Sequence, residues 1–253
     1  MDDVSDSGAY HYLKEKQNHV SKENMREFLL NDILIGKDGK IIATNNEFSK
    51  NFGKYEKITL EKLRDTFDVD ENNIVVLPQG QYHIDLSIRP LKYPFVLVAD
   101  EKMSQENINK LKRRFWYDYG AKVFAQELEE KLAKQNRHYS SCDLICKHLK
   151  KNGFVPIRIG GGYGESEINF INSIVHEDKD NLIYITNSAE CGNKYYEYLQ
   201  KLFAKDLKEK CPQNIKPYFV KGLVLPDKTN VILDYLKKYR GGIHCLCAEE
   251  MEE

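Results

Sequence analysis

The chain has 253 residues, enough for one large or two small domains with a substantial core. Hydrophobic residues make up 41% and charged residues 30%, the profile of a soluble globular protein. Lysine and arginine number 38 against 39 aspartates and glutamates, a net charge of −1, so the bulk balance gives no reason to expect nucleic acid or an anionic membrane as the main partner.

Residues 1–30 read as a polar, helical N-terminal extension, with an N-cap signal at Ser21. A hairpin follows, Ile33-Leu34-Ile35 and Lys40-Ile41-Ile42, with GKDG supplying residues that tolerate positive φ. Ile58–Val69 fits a short helix, and NIVVLPQG a strand stopped by Pro78. YHIDLSIRP, Tyr82–Pro90, alternates like a strand, and YPFVLVAD reads as a buried one. One or two helices follow with Ser104 as the expected cap, then the helix DLICKHLKKNG ended by Gly153. FVPIRI is a strand, and NFINSIVHEDKDNLIYIT a hairpin turning at EDKD. KYYEYLQKLFAKDLKEK is a helix, IKPYFVKG a strand, NVILDYLKKYRGG a helix and IHCLCA a last short strand. The order strand, strand, helix, strand recurs about three times from residue 31, which predicts a mixed sheet architecture with helices outside. No linker or low-complexity run interrupts it, so a single domain over 1–253 is expected.

Six cysteines stand at 142, 146, 191, 211, 245 and 247. With no secretory pattern in the acidic start MDDVSDSGAY, reduced thiols and a cytoplasmic location are the expectation, with export by a route that reads other signals left open. The C-x3-C and C-x-C spacings are not those of common zinc sites.

Two stretches carry candidate chemistry. In GGIHCLC, paired glycines approach Cys245. A thiol is nucleophilic as its thiolate and needs a base or positive charge nearby; His244, its neighbour, points to the opposite face of a strand. The other reading is a small buried residue behind glycines that end a helix. In YHIDLSI, His83 and Asp85 lie two apart and share one face of a strand, with Ile84 and Leu86 on the opposite, core face. A surface strand also produces such a pair by chance.

Taken together, these stretches resemble the guanidino-group-modifying superfamily, the pentein fold of arginine, agmatine and peptidylarginine deiminases. GGIHCLC is similar to its C-terminal Gly-Gly-x-His-Cys segment, closest to agmatine deiminases; YHIDLSI is similar to its His-x-Asp strand; INFINSIV with LIYIT is similar to a strand pair carrying an Asn step. The resemblance covers roughly residues 29–250 and implies an α/β propeller of ββαβ units. It implies Cys245 as nucleophile, His83 as acid–base and Asp85 as a guanidinium-binding carboxylate. Asn172 and Gly242 are implied in substrate binding. It implies no metal or organic cofactor, and an arginine-like small molecule or a protein as substrate.

The family's upstream carboxylate module is shortened here: Asp6 in SDSGAY faintly resembles its Asp segment at much shorter spacing. The family's Glu-Gly-Gly is LLN, with Asp32 close by, and Leu246 replaces the usual Thr or Ser. One module is therefore expected to be reduced or missing. Two alternatives stay open: another Cys-His-Asp hydrolase or transferase acting on protein, and an inactive binding protein of the same fold. RIGGGYGESE lacks the Lys-Ser/Thr of a phosphate loop and is read as a flexible loop at the substrate mouth, with Glu165 or Glu167 as spare carboxylates. KRRFWYDYG is read as an amphipathic helix packing Phe115 and Trp116 rather than a base-stacking surface.

Overall fold

Short apolar runs bounded by turn residues form the strands of this computed structural model, which describes residues 33–35, 41–45, 74–78, 84–138, 140–163, 168–178, 181–188 and 193–220. The described residues build three three-stranded sheets. The first holds β1 (Ile33–Ile35), β2 (Ile41–Asn45) and β3 (Ile74–Pro78). The second holds β4 (Ile88–Pro90), β5 (Phe95–Ala99) and β6 (Val155–Ile159). The third holds β7 (Ser173–Asp178), β8 (Asn181–Asn187) and β9 (Asn214–Val220). In each, the first strand pairs antiparallel with the second and the second pairs parallel with the third. The repeat expected from the element order is thus present in mixed α/β form. The third strand of each sheet carries a proline, Pro78, Pro156 or Pro217, and each is an edge strand, where a missing N–H is tolerated.

Parallel pairing requires a crossover, and in the second and third sheets helices supply it. Between β5 and β6 run α1 (Glu101–Arg114), α2 (Tyr119–His138) and α3 (Cys142–Lys151); between β8 and β9 runs α4 (Lys194–Lys210). Their buried positions follow helical spacing. In α3 these are Cys142, Ile145, Cys146 and Leu149; in α4 they are Tyr196, Leu199, Phe203 and Leu207. α1 is capped by Asp100, whose Oδ1 accepts from Lys102 N at 2.8 Å and Met103 N at 3.1 Å. The expected cap Ser104 lies instead one turn inside, fully buried, where its Oγ accepts from Gly161 N at 3.2 Å. Asp100 wins because it directly precedes the first turn, within reach of two orphan N–H groups. α3 begins at Ser141 and is followed by Gly153 at φ +83°, as the C-terminal glycine predicted.

β5 is buried on both faces and divides the interior. Val96 and Val98 join Val75, Leu77, Ile88 and the apolar face of α3. Leu97 and Ala99 face the larger core shared with α1, α2, α4 and the third sheet. The expected N-terminal helix, the Ile58–Val69 helix and the C-terminal helix and strand lie outside the described residues.

The glycine run after β6 packs rather than cradles. Gly160 through Tyr163 are buried. Gly161 sits at φ +153°, where an added Cβ would lie 2.6 Å from Cδ2 of Phe203. Its carbonyl accepts from Phe170 N at 2.9 Å, and Gly162 bridges Asn169. The run therefore lies against α4 and the turn before β7; Glu165 and Glu167 lie outside the described residues. Gly161→Ala should destabilise the fold by about 1–3 kcal/mol through overpacking and backbone strain. Urea denaturation measures this, and a double-mutant cycle with Phe203→Leu should recover part of the loss. Additive effects of the two changes would count against the clash.

Candidate functional site

The segment Ile84–Leu86 forms one turn of 3-10 helix, closed by Ser87 N donating to Ile84 O at 2.9 Å. This corrects the strand expected there. Ile84, Asp85 and Leu86 are all buried, so no two-residue alternation sorts them into a core face and an outer face. The strand begins only at Ile88, and a turn with three residues per revolution does not project i and i+2 together. The strand expected to carry His83 and Asp85 on one face is thus replaced by a 3-10 turn over Ile84–Leu86; His83 itself lies outside the described residues.

What draws Asp85 inward comes from far along the chain. Asn172 Nδ2 donates to Asp85 Oδ2 at 2.7 Å, across 87 positions of sequence. Asn172 is fully buried and Asp85 is 6% exposed. Two of the predicted site residues thus meet. A hydrogen bond to a carboxylate is stronger than one between neutral groups, and here it sets the plane of the carboxylate.

Asn169 holds the partners in place. Its Nδ2 donates to Leu86 O at 2.9 Å, fastening the turn that bears Asp85. Its Oδ1 accepts from Ile171 N and Asn172 N, each at 3.0 Å, which shapes the turn that bears Asn172. Its own carbonyl accepts from Asn187 Nδ2 at 3.1 Å. The carbonyls of this buried turn are met from β8. Tyr184 OH lies 2.8 Å from Phe170 O, and Thr186 Oγ1 lies 3.0 Å from Phe170 O and 2.9 Å from Asn172 O. Burial pushes the Tyr184 phenol well above its ordinary pKa, so it remains a neutral donor; the Ser173 hydroxyl and the Arg89 charge oppose the shift only in part. Phe170, between the two asparagines, is anchored by rings: Phe203 at 5.2 Å, Tyr196 at 5.8 Å and Phe219 at 6.0 Å between centroids. Asn169, Thr186 and Asn187 were not singled out in the sequence. The available signal was a pair of asparagines inside the apolar run INFIN, polar groups that must find partners when buried.

Cys245, Gly242, Asp32 and Asp6 lie outside the described residues. A cleft of about 50 Å³ opens beside Ser87, lined also by Glu101, Gln135, Ser141 and Cys142. It has room for water but not for an arginine-sized ligand. The sulfurs of Cys142 and Cys146, both free thiols, stand 3.7 Å apart. The neighbouring sulfur and then burial push the Cys142 thiol far up, while the bond from Cys142 lowers that of Cys146. Burial raises Cys211 to about 12. Cys142 and Cys211 are thereby kept as thiols rather than nucleophiles.

No protein-family model matches the chain, and no curated protein matches it. Among solved structures, it is similar to the agmatine deiminase of C. jejuni at 16% identity and a TM-score of 0.47, over 88% of this chain and 55% of that one. It is likewise similar to a cysteine-to-serine variant of that enzyme with substrate bound, at 16% identity and a TM-score of 0.43, with the same coverage. The chain spans about half the length of those structures.

Asn169→Ala should destabilise the protein by at least about 2 kcal/mol, because it strands a buried carbonyl and two buried N–H groups. Asn214→Ala, which removes an exposed amide pairing with Asn181, should stay within about 0.5 kcal/mol. Equal effects in urea denaturation would show that the buried seam is no more demanding than the surface.

Proposed function

We propose that the chain is a cysteine-dependent hydrolase acting on a guanidinium group, a deiminase of arginine, agmatine or peptidyl-arginine. The observation that carries this reading is the buried bond from Asn172 to Asp85. Two residues picked from separate motifs, each for binding the substrate, are neighbours in space. A guanidinium is planar and cationic, and a carboxylate of fixed orientation binds it through paired hydrogen bonds. An amide that holds Oδ2 supplies that orientation before substrate arrives, which lowers the ordering cost of binding.

The remaining steps rest on the motif resemblance of Cys245 and His83. The Cys245 thiolate attacks the guanidinium carbon to give a tetrahedral intermediate. His83 gives a proton to the departing amine, and the C–N bond breaks to leave a covalent thiouronium. Water, deprotonated by His83, then attacks the same carbon. The C–S bond breaks, the ureido product leaves, and the thiolate is restored. The cationic substrate favours the thiolate during the first step. The scheme uses no cofactor.

The test combines turnover with labelling. Ureido product should form from arginine, agmatine or an arginine-rich protein and be lost in Cys245→Ala. His83→Ala should lower kcat by about 10²–10⁴, and Asp85→Asn should raise KM and lower kcat together. A haloacetamidine should modify Cys245 in a reaction that arginine blocks, while Cys142 and Cys211 remain unlabelled in the folded protein. Labelling spread over all thiols without protection, or normal turnover in Asp85→Asn, would overturn the proposal.

A further inference from the structure

The connection between α1 and α2 is built to display aromatic rings. Trp116 is 72% exposed, Tyr117 73% and Tyr119 79%. Val123, one helical turn beyond Tyr119, is exposed too. This corrects the expectation that Trp116 packs with Phe115. Phe115 alone turns inward, edge-on to Tyr195 at 5.3 Å and Tyr198 at 5.7 Å. The connection is pinned on its inner side. Asp118 N donates to Phe115 O at 2.9 Å, and Asp118 Oδ1 accepts from Gly120 N at 3.0 Å. Lys194 binds Asp118 Oδ2 at 2.6 Å and lies 5.8 Å from the centre of the Phe115 ring. The backbone that bears the outward rings is thus held, and Trp116 and Tyr117 meet edge-on at 5.8 Å.

Cations flank them along the chain. Arg113 and Arg114 end α1 and Lys122 follows in α2, all exposed. The carboxylate of Asp118 is offset by Lys194, leaving Glu197 in the first turn of α4 as the exposed acid that the adjoining helix contributes. The end of the helical pair therefore carries a surplus of positive charge. The net charge of −1 for the whole chain does not cancel it, because exposed charges act within a Debye length of about 10 Å at 0.1 M salt.

We propose that this tip docks on the interface of an anionic lipid bilayer. Tryptophan and tyrosine have an apolar body and a polar edge, the combination that settles at the headgroup boundary, and adjacent arginines bind anionic headgroups. Size favours a bilayer over a folded protein. Three rings at 150–250 Å² each fall short of the roughly 800 Å² per partner of a stable protein interface, whereas a bilayer needs no shape complementarity. Among the described residues no helix is long and apolar enough to cross a membrane.

Trp116 is the chain's one tryptophan, so its emission reports on the tip alone. The full chain is titrated with vesicles of phosphatidylcholine, with and without phosphatidylglycerol, and binding is checked by co-sedimentation. A blue shift and co-sedimentation with the anionic vesicles are expected. Apparent affinity should fall about tenfold between ~0.1 and ~1 M salt as the Debye length shrinks. The double variant R113E/R114E should lose the shift while keeping its circular dichroism, and Y117S/Y119S should weaken it with Trp116 retained. Unchanged emission and no co-sedimentation overturn the proposal. So does a shift that appears only with rising protein concentration, which marks a second copy, or only with poly-glutamate, which marks an acidic protein partner.

Discussion

A loop buried beside a sheet must satisfy its own backbone, because water does not reach it. The turn from Asn169 to Asn172 faces that requirement between the second and third sheets, and its solution organises the candidate site. Asn169 uses amide oxygen, amide nitrogen and backbone carbonyl on four different partners, Leu86, Ile171, Asn172 and Asn187. Phe170 is locked among rings of α4 and β9. With its neighbours fixed, Asn172 is placed to donate to Asp85. Bonds in such a network depend on each other, since a half-satisfied buried network is worse than none. Position of the carboxylate is thus a property of the joint between two units, not of the turn that carries it.

The same logic explains the glycines and the ion pairs around the joint. Gly161 lets the backbone lie directly against Phe203, and its N–H reaches Ser104 inside α1. Arg158, next to last in β6, links the α1 cap Asp100 at 2.5 Å to Asp143 of α3 at 2.5 Å. Burial works against its charge, but the two carboxylates more than offset that and hold its guanidinium pKa above the ordinary value. Asp100 thereby serves two elements with two oxygens: Oδ1 caps a helix while Oδ2 holds the sheet to it. These contacts fasten α1 and α3 to the second sheet.

Local periodicity carried the legible part of this structure. The hairpin around EDKD, the helix Lys194–Lys210 and the apolar face of α3 were readable because their burial repeats every two or every 3.6 residues. The motif marks Asp85 as a candidate site residue, but its conformation is a 3-10 turn rather than a strand. HIDLSI alternates like a strand, and nothing within it signals that a side chain 87 positions away will hold the carboxylate inside. Ser104 failed as a cap for a related reason. It has cap chemistry, but the chain had already turned at Asp100, and the polar group at 104 was needed to meet a glycine N–H in the interior. Trp116 shows the converse. Size and apolarity predict burial, yet only one of two adjacent rings can face inward at a helix end, and Phe115 took that place.

The crossovers themselves separate what the sheets need from what has been added. A parallel pair needs one helix to return the chain, and the third sheet manages with α4 alone. The second sheet has three. α3 covers the face of β5 that bears Val96 and Val98, and so does the work of a crossover helix. α1 and α2 lie on the other face, where Ile108, Leu111, Ala121, Ala125, Leu128 and Leu132 complete the core shared with the third sheet. That inner role fixes one stripe of each helix, and the turn between them is held on its inner side by Phe115, Asp118 and Gly120. The outer side of such a connection would be expected to carry small polar residues. This one carries Trp116, Tyr117 and Tyr119 in water, and that expense of apolar exposure is what the packing of the domain does not explain.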